Sequence, residues 1–211
     1  MAHQPGRFIA LEGIDGSGTS TQTRALAAAL TARGHRVQTT CEPSRGAIGR
    51  MIREQLSAPD PVDAATLALL FAADRLDHVR REIAPALAVG AIVLSDRYVV
   101  SSLVYQSLEC APDWVATLNR EARWPDLCVL LDVPVEIAVA RVRARLGAGE
   151  GVEERYDAPD IQRRLADGYR SAARADPRIR VLDGARPPDA ITADLLTLLE
   201  EVGLSEVTRR R

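Results

Sequence analysis

Phe8-Ile-Ala-Leu11, then Gly13-Ile-Asp-Gly-Ser-Gly18-Thr19-Ser20, then the stretch on to Ala32 decide the fold when read in that order. Phe8–Leu11 is an unbroken apolar run of strand length. Thr19–Ala32 carries Ala25, Leu26, Ala29 and Leu30 at helical spacing, with Gly34 as its stop. The turn between them matches the phosphate-binding pattern GxxxxGK(S/T) except at Thr19, which stands where the pattern has lysine. Glycines let such a turn bend tightly and aim backbone N–H groups at one anion, and the following helix adds the positive end of its dipole. Gly13, Ile14, Asp15, Gly16, Ser17, Gly18, Thr19 and Ser20 are therefore the candidate nucleotide-binding residues. Ser20 also stands where the pattern's hydroxyl holds magnesium. Thr19 offers only a neutral hydroxyl beside the phosphates. A glycine-rich turn without a ligand, and a degenerate loop that no longer catalyses, are the competing readings.

Outward from this unit, short apolar runs alternate with helical patterns. Further strands are predicted at Arg36–Cys41, Ala91–Leu94, Leu127–Leu131 and Ile179–Leu182. Helices are predicted at Gly46–Gln55, Ala64–Val89 (broken or bent around Pro85), Val99–Leu108, Asp113–Arg123, Val135–Arg145, Ile161–Ala175 and Pro188–Glu201. Continuous apolar strands separated by helices imply a parallel sheet covered on both faces. The expectation is one α/β domain over residues 1–211, with three layers and a five-stranded parallel sheet. Gly147–Asp157 mixes glycines with charges and reads as a mobile surface loop, and Glu200–Arg211 as a frayed end.

Composition narrows the function classes. The 211 residues suit one core, and an apolar share of 46% rules out wholesale disorder. A net charge of −2 argues against a nucleic-acid-binding surface. Cys41, Cys110 and Cys128 are odd in number and far apart, which excludes a disulfide scaffold and a CxxC zinc site. No apolar run approaches the ~18 residues of a membrane span. Met1–Arg7 lacks the features of a signal peptide, so a cytoplasmic protein with no membrane or nucleic-acid partner is expected. All 27 basic residues are arginine, and no lysine is available for any catalytic role.

Other side chains group at chemically useful spacings. Phe71 and Arg75 are one helical turn apart, and a ring beside a guanidinium suits a planar base with an anionic group. Asp96-Arg97 follows the strand Ala91–Leu94 directly, at the sheet edge where ligands of open parallel sheets bind. There an aspartate can hold the water shell of magnesium, and Arg97 can clamp phosphate oxygens. Ser101, Ser102, Tyr105 and Gln106 fall on the next helix and can line one wall.

Taken together these segments resemble the thymidylate kinase family. Leu11-Glu-Gly-Ile-Asp-Gly-Ser-Gly18, Glu42-Pro-Ser-Arg45 with Ile48–Arg53, Leu70–Arg75, Asp96–Gln106, Leu131–Pro134 and Glu154–Asp157 stand in family order from residue 8 to about 183. The resemblance implies a P-loop NTPase fold and transfer of the ATP γ-phosphoryl to dTMP with Mg2+. A kinase for another nucleotide or deoxynucleoside, and a non-catalytic nucleotide-binding protein, are the alternatives. By resemblance Phe71 stacks on thymine, Arg75 meets the dTMP base edge or phosphate, and Arg45 contacts the dTMP phosphate. Ser101, Ser102 and Gln106 reach the thymine edge, Tyr105 crowds the 2′ position, and Asp15 meets the 3′-hydroxyl. Arg97 lies between the donor and acceptor phosphates. A mobile lid at about residues 146–158 is implied, with Arg143, Arg145 and Arg155 bracketing it as charge donors that stand in for the loop lysine. Arg141 is the candidate for stacking on adenine. Tyr156 fits the acceptor side, and Asp157 either joins Ser20 and Asp96 as a metal candidate or contacts the nucleotide sugar. The family is usually a homodimer.

Overall fold

β1 (Arg7–Glu12) lies at the centre of a parallel five-stranded sheet in the order β2-β3-β1-β4-β5, in a computed structural model describing residues 6–149 and 155–203. The other strands are β2 (Val37–Cys41), β3 (Ile92–Asp96), β4 (Leu127–Asp132) and β5 (Ile179–Asp183). Successive side chains of a strand point to opposite faces. Phe8 and Ala10 therefore join one apolar cluster, with Val93, Cys128 and Leu130. Ile9 and Leu11 join the other, with Leu94, Val129 and Leu131. This two-sided burial explains why the central strands read as unbroken apolar runs. β2 is an edge strand, and Thr40 is its one buried residue, so its burial does not alternate as its sequence suggests.

Helices α1 (Thr19–Ala32) and α9 (Pro188–Glu201) cover the second cluster through Leu26, Leu30, Leu195 and Leu199. The first is covered by α2 (Ala47–Leu56), α3 (Ala64–His78), α5 (Val99–Tyr105) and α8 (Pro159–Ala175). α6 (Pro112–Leu118) and α7 (Val135–Gly147) complete the fold.

The predicted Ala64–Val89 helix is continuous but changes pitch. A π turn at Val79–Ile83 follows α3, and α4 (Ala84–Ala88) resumes with Pro85 in its first turn. Proline lacks an N–H and crowds the preceding turn, and the wider π turn accommodates it. α6 ends well before the predicted Arg123. Asn119 turns its amide back onto the Val115 carbonyl at 2.8 Å and accepts from Arg75, so the helix stops where that side chain is held. α7 runs on to Gly147, into the start of the expected loop, and residues 150–154 of that loop lie outside the described residues. Most of the predicted frayed tail, 204–211, and residues 1–5 lie outside them as well.

Leu26 is fully buried between α1 and the sheet. Leu26→Ala is expected to lower unfolding free energy by about 2–5 kcal/mol in urea denaturation.

Candidate active site

The carboxyl ends of β1, β2 and β3 meet the start of α1 at one edge of the sheet. Leu11 pairs with Asp96, and Asp96 in turn pairs with Cys41. The chain therefore leaves β1 at Gly13 beside the point where it leaves β3 at Arg97. Gly13, Gly16 and Gly18 all take positive φ, at 156°, 81° and 99°. A Cβ at Gly16 would collide with the Ala138 carbonyl of α7. Glycine there lets α7 pack down on the loop and carry Arg141 and Arg145 to it.

These elements enclose a cavity of about 570 Å3 lined by Asp15, Gly16, Gly18, Thr19, Ser20 and Asp96 together with Arg53, Arg97, Arg141 and Arg145. Thr19 lies buried in its wall. Ser20 donates its hydroxyl to Asp96 Oδ2. That pair presents two hard oxygen donors, a set that suits Mg2+ when phosphates and waters complete its shell. Arg141 donates to the carbonyls of Gly16 at 3.2 Å and Gly184 at 3.4 Å. Gly184 also lines a neighbouring hollow of about 180 Å3 with Arg141, Arg186, Pro188 and Gln22.

Arg97 is the one non-glycine residue with positive φ (65°) among the described residues. Its guanidinium donates to the Gly13 carbonyl, to Tyr169 Oη at 3.1 Å and to Asp15 Oδ1 at 2.8 Å, and it lies 5.1 Å from the Tyr105 ring centroid. Asp15 also accepts from Tyr105 at 3.0 Å and Gln162 at 3.1 Å. Burial opposes its ionisation, but Arg97, Gln162 and Tyr105 outweigh it and hold the carboxyl below the usual carboxylate range. Glu12, wholly buried behind them, is pushed up to about 7 by burial, against the pull of Ser101, Arg97 and Arg75.

A smaller cavity of about 110 Å3 opens beside the first and shares Asp15, Glu42, Pro43 and Arg97 with it. Phe71, Arg75, Ser101, Ser102, Tyr105, Gln106 and Tyr156 line it. Arg75 is 1% exposed and spans from Asn119 to Glu42 (2.6 Å) and Ser102 Oγ (2.9 Å). Two buried polar atoms in this wall, Arg75 Nε and Gln106 Oε1, have no protein partner.

The predicted residues thus divide. The loop residues Ile14, Asp15, Gly16, Gly18, Thr19 and Ser20 with Asp96, Arg97, Arg141 and Arg145 line the larger cavity, and the Phe71–Gln106 set with Tyr156 lines the smaller one. Ser17 lies at the neighbouring hollow instead. Arg45 stays exposed outside both. Arg143 is exposed and lines neither, because it sits on the opposite face of α7 from Arg141 and Arg145. Arg155 grips both carboxylate oxygens of Glu109 at 2.9 Å and also lies outside both cavities. Asp157 lines neither. The sequence motifs contain Glu12, Glu42 and Arg53 without giving them a role, and Gln162 and Tyr169 lie outside the motifs. Glu12 carried a signal, as the single charged residue closing an apolar strand. Gln162 and Tyr169 carried none, because α8 brings them in from far along the chain.

A family model described as thymidylate kinase matches residues 11–195. A probable thymidylate kinase of Pyrobaculum aerophilum is 41% identical over 196 residues, covering 92% of this chain and 97% of the relative. A thymidylate kinase of Thermomicrobium roseum is 41% identical over 201 residues, covering 92% and 95%. One from Ruegeria pomeroyi is 40% identical over 218 residues, covering 98% of each.

Removing Arg75 leaves Glu42 buried beside His78 without its guanidinium. Arg75→Ala is expected to cost about 3–5 kcal/mol of stability in urea unfolding. Adding Glu42→Gln should recover part of that loss.

Proposed function

The chain belongs to the thymidylate kinase family, and from that premise we propose that it transfers the γ-phosphoryl of ATP to dTMP, giving dTDP and ADP. The observation that carries the acceptor assignment is the lining of the smaller cavity, where Phe71 stands with the polar side chains of Arg75, Ser101, Ser102 and Gln106. Thymine presents a carbonyl acceptor and an N–H donor on adjacent positions of one edge, and the guanidinium, hydroxyls and amide of this lining include both donors and acceptors. Phe71 supplies a ring for stacking. Tyr105, held against Asp15 by its hydroxyl at the edge of this cavity, is assigned to exclude a 2′-hydroxyl. The dTMP phosphate then points toward Arg97, at the junction of the two cavities.

An oxygen of that phosphate attacks the γ-phosphorus in line. The new P–O bond forms as the bond to the β–γ bridging oxygen breaks, and ADP departs with the electron pair. No general base is required, because the second ionisation of a phosphate monoester lies near ~6. Arg97 and Arg145 face the transferring group and take up its charge, the task that lysine performs in other loops. Their placement favours Arg145 over Arg143 and Arg155. Arg141, over the hollow that Gly184 and Arg186 share, is assigned to the adenine. Ser20 and Asp96 would hold magnesium, which when bound neutralises charge on the β and γ oxygens.

The same reading includes a homodimer in the cytoplasm, with no nucleic acid as partner. A stripe of Leu69, Ala73 and Leu76 stands exposed on α3, Met51 is exposed on α2, and this apolar surface supports pairing with a second copy. No helix among the described residues is long and apolar enough to cross a membrane.

ADP release from Mg-ATP should require dTMP, when dTMP, dUMP, dCMP, AMP and thymidine are supplied separately. Arg97→Ala should depress that rate by orders of magnitude. ATP binding with silence toward every acceptor would return the chain to a non-catalytic role. Thr19→Lys tests the loop itself. A site built around threonine should gain less than ~100-fold, about 2.7 kcal/mol of barrier. A larger gain would mark the native loop as impaired.

A further inference from the structure

We infer that Glu12 is a positioning residue for phosphoryl transfer, aiming Arg97 by holding both its main chain and its guanidinium. The inference rests on the reading of Arg97 given above. α5 has only seven residues, and its cap residue Tyr98 makes no side-chain cap bond. Glu12 replaces that cap from β1, since its Oε1 accepts the Tyr98 N–H at 3.0 Å and the Val100 N–H at 3.1 Å. On the other side of Arg97, its own N–H donates to the Leu11 carbonyl at 2.8 Å, and its carbonyl accepts from Ser95 Oγ at 2.7 Å. The backbone on both sides is therefore pinned while Arg97 sits at φ 65°, a conformation that non-glycine residues avoid. Without the pin, the turn is free to relax and swing the guanidinium out of the junction.

The second hold acts through hydroxyl polarity. Ser101 Oγ donates to Glu12 Oε2 at 2.6 Å and in turn accepts from Tyr169 Oη at 2.7 Å, so a relay runs from Tyr169 through Ser101 to the carboxylate. A hydroxyl has one proton. With the Ser101 proton given to Glu12 and the Tyr169 proton given to Ser101, both oxygens turn lone pairs to Arg97 Nη1, which reaches Tyr169 Oη at 3.1 Å and Ser101 Oγ at 3.5 Å. Glutamine at position 12 has the same shape but the opposite sense. Its oxygen must serve the two backbone N–H groups, so its NH2 faces Ser101 Oγ and the Ser101–Tyr169 relay must reverse, placing a hydroxyl proton where Arg97 Nη1 now meets lone pairs. Arg75 and Cys128 are the other titratable groups nearest Glu12, and neither bonds to it.

The test is a double-mutant cycle read by dTMP-dependent ADP release at pH 8, above the value of about 7 to which burial raises Glu12. Glu12→Gln should lower kcat at least ~10-fold, with the KM for ATP within about twofold. In an Arg97→Ala background the same change should cost less than about twofold, because the residue through which it acts is gone. Tyr169→Phe, which leaves the buried charge and the backbone bonds in place, should lower kcat in the same direction and decides the matter if Glu12→Gln does not fold. Equal losses with and without Arg97, or an unchanged kcat in both single variants, would overturn the inference. An inactive parent enzyme would instead overturn the kinase reading on which it rests.

Discussion

The parallel pairing of Leu11 with Asp96 is the constraint from which the site follows. It brings the ends of β1 and β3 out side by side, so that one step further the loop glycine, the buried Glu12 and the left-handed Arg97 are neighbours. The register is held by apolar packing on both faces of β1, whose Phe8, Ile9, Ala10 and Leu11 are all 0% exposed. A slip of one residue would exchange the two apolar clusters and turn Glu12 into the wrong layer. The chemistry at the edge is thus tied to the best-buried strand of the molecule, which suits a site that needs sub-ångström placement of charge.

Around that edge the protein solves an electrostatic problem without lysine. Guanidinium groups are planar and carry several donors, so they can be fixed by main-chain carbonyls as well as by carboxylates. Arg53 is held by the carbonyls of Pro43 and Ser44, and Arg141 by those of Gly16, Ser17 and Gly184. Asp15 takes Arg97, Tyr105 and Gln162 together and joins the loop to α5 and α8. The cavity walls are consequently ordered by bonds that reach across most of the sequence.

That reach decides what could be read from the chain beforehand. The layering was legible, because strands buried on two faces leave unbroken apolar runs and helices leave their stripes. The turn from Gly13 to Ser20 was legible because its geometry demands glycines at fixed places. The difference between Arg143 and its neighbours at 141 and 145 was also within reach, since residues four apart share a helix face. The early end of α6 was not, because it depends on Asn119 meeting Arg75 from a distant helix. Nor was the turning of Arg155 toward Glu109, which requires knowing what packs beside the segment. Local pattern encodes elements, whereas the aim of a long charged side chain is set by whichever partner the tertiary fold brings near.

The all-arginine cavity has a chemical corollary. A loop lysine would begin to shed its proton near pH ~10, whereas guanidinium stays charged throughout the range in which proteins are folded. The positive side of this site therefore has no titrating member, and any response to pH must come from acids, such as Glu12 or the nucleotide phosphates themselves. A second kind of control is closed as well. Acetylation silences a cationic loop by neutralising its ε-amine, and none of the 27 basic side chains carries one. Acyl-donor chemistry that could switch off a lysine-bearing phosphate loop has no point of attack here.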